Sequence, residues 1–399
     1  MKPDTAHEPS PIRGISRNVF ILGLVSLATD ASTEMVYPLI PLFLTTTLGA
    51  PASVLGLIEG LAEATASILK GFSGWLSDRI GLRKPLVVGG YGLAAFTKPL
   101  LALAAGWPMV LTARVLDRFG KGVRGTPRDA MIADSSEESV RGRAFGFHRS
   151  TDQMGAVIGP LAALPLLAFF DQNYRAVFVA AFVPAALGVL LLFFVKETGA
   201  GRGAAPPPSF RIAAAGPEYR SFLLVMLLFT LGNSSDVFLI LRARQLGLTP
   251  TDIVLLFAAF NATYVASAYP AGILSDRIGR RRVIVAGLAV FAVVYVGFGF
   301  APDSRWVWPL FLLYGLYHGL TDGTSRAYIA GITPPDQRGT ALGTYAMTIG
   351  IGTFPASAAA GLLWDHAGPP APFFVGAACA AISAVALSWK GAGLRKHRA

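Results

Sequence analysis

Residues 74–84 read GWLSDRIGLRK, and residues 272–282 read GILSDRIGRRR. The two stretches agree at eight of their eleven positions and lie 198 residues apart, about half of the 399-residue chain. A repeat of that period is too long for a solenoid unit and indicates two equivalent halves. Each copy separates two long apolar segments, so we expect each to form a tight turn between two helices.

The composition excludes an ordinary soluble domain. Hydrophobic residues make up 53% of the chain and charged residues only 14%, with 44 glycines and 27 prolines, whereas soluble domains are about one quarter charged. These proportions are typical of helical membrane proteins with many spans. The single cysteine, Cys379, excludes a disulfide framework and a Cys-based metal site.

Twelve apolar segments are long enough to cross about 30 Å of hydrocarbon as helices. We number them as spans 1 to 12, and they cover residues 18–47, 53–76, 85–105, 107–132, 143–169, 174–195, 220–241, 252–273, 283–301, 306–331, 340–364 and 370–390. The chain is therefore predicted to comprise a tail (1–17), a six-helix bundle (18–196), a Gly/Pro/Ala-rich linker (197–218), a second six-helix bundle (219–390) and a second tail (391–399).

The net charge of +11 comes largely from loops that would share one side of the membrane. Because positive loops face the cytoplasm, we expect both termini in the cytoplasm and the protein in a bacterial-type inner membrane. Basic runs interleaved with exposed aromatics are absent from the sequence, so no nucleic-acid partner is expected. No P-loop pattern is present either, which argues against ATP as the energy source.

The repeat extends beyond the opening stretch, since VRGRAFG at 140–146 matches QRGTALG at 337–343 with an offset of 197. Residues 74–84 also match the signature G-x-L-x-D-R-x-G-R-K between spans 2 and 3 of a known family. In these features, and across essentially its whole length, the chain resembles the major facilitator superfamily of secondary transporters. The resemblance implies an all-α membrane fold of twelve helices, in two pseudo-symmetric halves around a central cavity, without enzymatic activity or cofactor.

Two further motifs follow from the resemblance. In span 4 the family often has R-x-x-Q-G, and here Arg118 begins the same pattern with Lys121 in place of glutamine. In span 5 the family's antiporter motif is matched in part, because Ala162 and Ala163 replace its last glycine pair. Small residues allow helices to approach closely, and proline bends a span. The predicted packing residues of span 5 are Gly146, Gly155, Gly159 and Pro160.

The resemblance also assigns a gate to the two copies of the opening stretch. Asp78 is expected to face the positive N-terminus of span 11, near Gly339 and Thr340, and Asp276 to mirror it against span 5, near Gly142. We expect these contacts to hold the cytoplasmic side closed. The predicted gating residues are Gly74, Asp78, Arg79, Gly81, Arg83, Arg128, Asp129, Gly272, Asp276, Arg277, Gly279 and Arg281.

Charged residues inside apolar spans are costly unless they are paired or solvated, so they indicate function. Asp30 and Glu34 in span 1, and Glu59 and Glu63 in span 2, are each four residues apart and so share a helix face. Four carboxylates in neighbouring spans cannot all stay ionised cheaply, and we predict that at least one exchanges a proton. A solvated or ion-paired role is the alternative for any one of them.

A second group of polar residues is predicted to line the substrate cavity, with Arg118 as electrostatic partner of the acids. Lys98 is placed near a span end, where its side chain can reach the membrane surface. His318 serves equally well as a helix–helix hydrogen-bond donor. The cavity residues are Arg114, Asp117, Arg118, Lys121, His148, Arg149, Asp152, Asn233, Asp236, Asn261, His318 and Asp322.

These features predict a monomeric secondary transporter that works by alternating access and exports a small organic or drug-like solute in exchange for protons. The first alternative is proton-coupled uptake of an organic anion, whose carboxylate Arg114, Arg118 and Lys121 would bind. The second is a membrane sensor or assembly factor that has kept the fold without transporting anything. The expected partners are the solute, protons and the lipid bilayer.

Overall fold

The described residues form helices joined by turns and contain no strand. The computed structural model describes residues 15–137, 140–198, 216–334 and 338–395, without the side chains of residues 71, 74, 75, 78, 141, 142, 338–340 and 390–395. The helices are α1 (Arg17–Val36), α2 (Ile40–Leu42), α3 (Ala52–Ile80), α4 (Lys84–Ala102), α5 (Trp107–Asp134), α6 (Arg141–Phe169), α7 (Tyr174–Leu192), α8 (Pro217–Gly232), α9 (Val237–Gln245), α10 (Pro250–Ile278), α11 (Arg280–Phe300), α12 (Val307–Ile332), α13 (Arg338–Ala367) and α14 (Ala371–Arg395).

Each predicted span coincides with one of these helices or with a helix pair. Within the described part of the chain, nine helical stretches are long and apolar enough to cross a membrane, and α4, α5 and α12 are not among them. Helix α5 carries eight charged residues, from Arg114 to Asp134, which lowers its hydropathy. The count of twelve crossings therefore stays a prediction, while the all-helical fold is confirmed.

Two spans are broken at equivalent positions. Span 1 leaves the α-helical path in a 3-10 turn at Tyr37–Leu39, next to Pro38 and Pro41, and continues as α2 and a π-helix, Phe43–Thr47. Span 7 is interrupted between Gly232 and Val237, where α8 ends and α9 begins. A proline removes one backbone donor and crowds the preceding turn, which explains the first break.

The chain separates into two compact units, residues 1–37 with 68–208, and residues 38–67 with 209–399. We call them the N-terminal and the C-terminal unit. The first part of α3 thus belongs to the C-terminal unit and its remainder to the N-terminal unit. The bundle boundaries derived from the sequence stay a prediction.

The same helix pairs pack in both units. In the N-terminal unit α1 packs on α6 and α7, and α4 packs on α5 and α7. In the C-terminal unit α8 packs on α13 and α14, and α11 packs on α12 and α14. These are equivalent spans under the repeat, so the duplication seen in eleven residues extends to the packing of the helices.

The turn in each copy of the opening stretch depends on a glycine with positive φ. Gly81 has φ +73° and Gly279 has φ +98°. Residues with a Cβ rarely adopt these angles. The glycine thus ends one helix and lets the next begin within a few residues, as the sequence predicts.

Candidate functional site

The N-terminal unit contains a pair of carboxyl groups inside its helices. Asp30 in α1 and Asp152 in α6 are in hydrogen-bond contact with each other. Asp152 also accepts a hydrogen bond from Ser26 Oγ to Oδ1 at 2.7 Å and one from the Arg149 guanidinium to Oδ2 at 3.1 Å. Two carboxyl groups can hydrogen bond only when one of them carries a proton. Asp152 thus has two donors besides its carboxyl neighbour Asp30.

The charged face of α5 lies beside this pair. Lys121 and Arg124 are close enough to act electrostatically on Asp30, while Arg128 and Arg149 act on Asp152. Opposite charges within a few ångströms favour the ionised carboxylate, whereas burial and a neighbouring carboxylate oppose it. The cationic side chains of α5 and α6 thus counteract the burial and the mutual repulsion of the two carboxyl groups.

A buried ion pair connects α4 to the first half of α5. Lys98 Nζ lies 3.0 Å from Asp117 Oδ1, and Arg114 lies 3.9 Å from the other carboxylate oxygen. Lys98 is only 3% exposed, so the prediction that its side chain reaches the membrane surface is wrong. A lysine near a helix end can extend in either direction, and here the buried carboxylate attracts it inward. The guanidinium of Arg114 also lies 5.5 Å from the centre of the Tyr37 ring.

Other predicted cavity residues of the N-terminal unit have distinct surroundings. Arg118, the predicted electrostatic partner of the acids, is buried, and its charge acts on Asp117. Lys121 is exposed. Arg124 is buried, with its guanidinium 4.3 Å from the centre of the Tyr91 ring. His148 is 4% exposed.

The four candidate acids for proton coupling divide between the two units. Asp30 and Glu34 belong to the N-terminal unit, whereas Glu59 and Glu63 lie in residues 38–67 of the C-terminal unit. Glu59 is fully buried, and Glu63 is close enough to Asp236 for their charges to interact. The carboxyl partner of Asp30 is therefore Asp152 of span 5, a residue that the sequence suggests only as part of the cavity.

The break in span 7 forms a polar cluster in the C-terminal unit. Asp236 lies directly before α9 and accepts a hydrogen bond from Tyr314 Oη at 2.6 Å. Asn233, at the end of α8, donates to Tyr317 Oη at 3.5 Å. The two residues are thus placed by the helix break and held by tyrosines of α12. Asn261 donates to Phe257 O within its own helix at 3.1 Å.

His318 of α12 is surrounded by aromatic rings. The centres of Phe260, Tyr264, Tyr314 and Tyr317 lie 5.5, 5.7, 4.9 and 4.7 Å from the centre of the imidazole.

The carboxylate of Asp322 also lies next to the His318 imidazole. Its Oδ1 lies 3.8 Å from His318 Nδ1, and its Oδ2 accepts from Tyr264 Oη at 2.9 Å. Aromatic faces and a carboxylate both favour a cation. The cluster therefore suits a charged imidazole or a cationic solute group.

Close helix packing occurs at two of the three predicted glycines of span 5. A Cβ on Gly155 would lie 2.7 Å from Leu27 O, and one on Gly159 would lie 2.5 Å from Ala31 O. A Cβ on Gly146 would meet nothing within 4 Å. Pro160 lies inside α6, as predicted. The first two glycines therefore let α6 approach α1, which brings Asp152 to Asp30.

The predicted gating residues form local contacts within each unit. Arg83 forms an ion pair with Asp134 at the end of α5, and Glu197 accepts from the backbone N–H of Lys84 at 2.9 Å. Arg128 and Asp129 form an ion pair at 2.8 Å. Gly74 and the side chain of Asp78, with the helix start near Gly339 and Thr340 and also Gly142, lie outside the described side chains.

The second copy of the motif is mostly exposed. Asp276 lies 3.7 Å from Arg280 of the following helix, and Arg281 donates to Leu387 O at 2.6 Å. Arg79 and Arg277 are exposed, and a Cβ on Gly272 would meet nothing within 4 Å. The gating role of both copies stays a prediction.

Among the described residues that were not predicted as sites are three acidic ones with contacts far along the chain: Asp134, Glu197 and Asp365. Each lies at a helix end or just after one, where an acidic residue in a sequence looks like a solvated loop charge. Asp134 and Glu197 have partners 51 and 113 residues away in the chain. Sequence spacing carries no signal for such contacts.

An all-helical bundle with paired charges inside apolar helices is typical of membrane transporters. A model of the Major Facilitator Superfamily matches residues 22–241 and 220–397, and the chain belongs to this family.

Relatives and solved structures agree with this membership. The uncharacterised MFS-type transporter MJ1317 of Methanocaldococcus jannaschii is 34% identical over 94% of this chain and 95% of its own. The multidrug resistance protein MdtH of Aeromonas hydrophila is 25% identical over 87% and 88%. The crystal structure of the nucleoside transporter NupG superposes with a TM-score of 0.80 at 12% identity, covering 93% of this chain and 99% of that one, which is a likeness of fold.

Proposed function

We propose that this transporter exports a small organic or drug-like solute in exchange for protons, by alternating access. The observation that carries the proposal is the Asp30–Asp152 carboxyl pair between α1 and α6. A proton carrier must bind its proton on one side of the membrane and release it on the other. A carboxyl group whose neighbour is a second carboxylate meets that requirement, because a small movement of either helix changes the cost of losing the proton.

The two members of the pair have different tasks in this proposal. Asp152 is held ionised by Ser26 and Arg149 and fixes the local charge. Asp30 takes up and releases the proton. When Asp30 loses its proton, the two carboxylates repel each other, and Lys121 and Arg124 then compensate the extra charge. A cationic solute near the deprotonated pair would do the same, which couples solute binding to proton release.

Export and a cationic or amphiphilic solute are supported by two further points. The relative MdtH is named a multidrug resistance protein. The C-terminal unit offers carboxylates and aromatic rings around His318 and Asp322, which suit a positively charged group. We also propose that both termini lie in the cytoplasm and that the protein acts as a monomer.

Uptake of an organic anion is less well supported. It requires Arg114, Arg118 and Lys121 to bind the anion's carboxylate. Arg114 is 2% exposed and lies beside Asp117, so an entering anion would compete with a buried carboxylate of the protein. Lys121 alone of the three is exposed.

The test uses purified protein in proteoliposomes that contain a pH-sensitive dye. A proton gradient is imposed, and cationic, neutral and anionic solutes are added in turn. We expect a cationic solute to cause proton movement that is lost in Asp30→Asn and strongly reduced in Asp152→Asn.

The matched control is Asp303→Asn, since Asp303 lies in the turn before α12. There its hydrogen bonds with Arg305 hold the pKa of the Asp303 carboxyl below its ordinary value, so it stays ionised without a role in coupling. Proton movement that persists in Asp30→Asn and in Glu34→Gln would refute coupling through span 1. Movement with anionic solutes alone would favour uptake, and solute flux in no condition would favour the non-transporting alternative.

A further inference from the structure

The N-terminus of α3 is capped by a side chain from the far end of the chain. Asp365, in the last turn of α13, accepts hydrogen bonds from Ala52 N to Oδ1 at 3.1 Å and from Ser53 N to Oδ2 at 2.9 Å. The first N–H groups of a helix have no partner inside the helix, and a carboxylate satisfies them while it interacts with the positive end of the helix dipole. Residues more than 300 positions apart are thereby joined at two points.

Below this cap, α3 and α13 are in contact through backbone and small side chains. We call this contact, from Ser53 to Ser67 of α3, the α3–α13 seam. A Cβ on Gly361 would lie 2.6 Å from Ala52 O, and one on Gly60 would lie 3.0 Å from the backbone of Phe354. The other glycines of the seam are Gly56, next to the carbonyl of Ser357, and Gly350, next to the side chain of Ser67.

Residues of span 7 also contact the α3–α13 seam. Ser235, in the helix break, donates its N–H to Ser357 Oγ at 3.1 Å. The ring of Phe238 in α9 packs on Trp364, with their centres 6.1 Å apart, and would lie 3.2 Å from a Cβ on Gly56. All of these residues belong to the C-terminal unit.

The seam lies at the end of α3 that is opposite the Gly81 turn. We propose that it is a gate on that face of the membrane, and that Asp365 is the latch of the gate. A seam made of glycines and backbone has few interlocking side chains, so its helices can separate without repacking. The two hydrogen bonds of Asp365 are directional contacts that must break when this face opens. The inference rests on alternating access in this family and not on the direction of transport or on proton coupling.

The first experiment measures opening without any solute. The reporter is Ser357→Cys in a Cys379→Ser background, because Ser357 is fully buried at the seam. The protein in lipid nanodiscs is reacted with a water-soluble maleimide, and the labelling rate is followed by mass. We expect Asp365→Ala to raise the rate about tenfold, since it removes two charge-assisted hydrogen bonds from the closed state.

The matched control is Asp303→Ala, which removes a carboxylate that caps only its own turn, at Arg305 N. It should leave the labelling rate unchanged. Where Asp365→Ala does not fold, Asp365→Asn takes its place, because the amide keeps one acceptor and loses the charge. An unchanged rate in the Asp365 variant, or an equal rise in the control, would overturn the latch.

The second experiment locks the gate. Ser53→Cys with Asp365→Cys, again with Cys379→Ser, places one thiol on each side of the contact between the Ser53 backbone N–H and residue 365. Oxidation should stop transport of whichever solute the protein carries, reduction should restore it, and each single cysteine should be insensitive to the oxidant. Full transport by the completely cross-linked protein would show that the seam is a static part of the scaffold. Since labelling needs no solute, a failure to find transport leaves the first test intact.

Discussion

At the scale of single residues, buried carboxylates lie next to cationic or hydrogen-bonding side chains. Asp117 is 5% exposed and Lys98 3% exposed, inside apolar helices. A buried charge without a partner costs several kcal/mol, so each depends on the other. The same principle governs Asp152, whose partners are Ser26 and Arg149. Charged residues that look alike in the sequence therefore divide into ion pairs of opposite charge and one pair of carboxyl groups.

The Lys98–Asp117 pair leads to a stability prediction. Lys98→Met should lower the free energy of unfolding by about 3 kcal/mol, because it removes the hydrogen-bonded cation of the buried Asp117 carboxylate and leaves only the guanidinium groups around it. The measurement is the thermal unfolding midpoint in detergent, with size-exclusion chromatography as a check of folding. The double variant Lys98→Met with Asp117→Asn removes both charges and should recover most of the loss. A double variant no more stable than Lys98→Met would contradict the pairing argument.

At the scale of elements, the glycines of α6 position the carboxyl pair. Gly155 and Gly159 allow α1 to approach until Asp30 reaches Asp152, whereas Gly146 faces open space. The spacing of these glycines is visible in the sequence, and so is the turn at Gly81. The break in span 7 is not, because the prolines beside the break in span 1 have no counterpart in span 7, where Asn233 and Asp236 occupy the gap.

Alanine substitutions at two glycines of α6 should change the stability of the protein in different ways. Gly159→Ala should destabilise the protein by about 1–3 kcal/mol, because its Cβ would press on the carbonyl of Ala31 and force the helices apart. Gly146→Ala should be neutral or stabilise by about 0.5–1 kcal/mol, since alanine favours a helix and nothing obstructs it. Thermal unfolding of both variants in the same detergent provides the comparison. Equal effects would mean that the close α1–α6 approach does not matter for stability.

At the scale of the whole molecule, the family and the all-helical fold were predictable, because an eleven-residue repeat, loop charge and span length all report on the same architecture. The candidate site was predictable in part. Asp30 and Asp152 were both identified, but their contact joins residues 122 positions apart and depends on how α1 packs on α6. Asp365 was missed, since its partners lie at the opposite end of the sequence.

Cleavage of the linker is the test at this scale. Residues 38–67 are grouped with the C-terminal helices, and α2 packs on α9. A protease site inserted within residues 197–218 should therefore yield two fragments that co-purify after cleavage in a mild detergent, with a purification tag on the C-terminal fragment only. The same insertion without cleavage is the control. Loss of the N-terminal fragment during purification would mean that these contacts do not hold the two parts together.

The spacing of the two glycine turns also bears on the origin of the two halves of the chain. Gly81 and Gly279 are 198 residues apart, whereas Gly90 and Gly287, which meet Arg124 and Thr321 on the neighbouring helix, are 197 apart. If both halves descend from one duplicated ancestor, a single residue was lost or gained within the turn itself, between Gly81 and Gly90 or between Gly279 and Gly287. The following helix begins at Lys84 in the first copy and already at Arg280 in the second. The shorter connection of the second copy thus leaves no residue between the glycine and the start of the next helix.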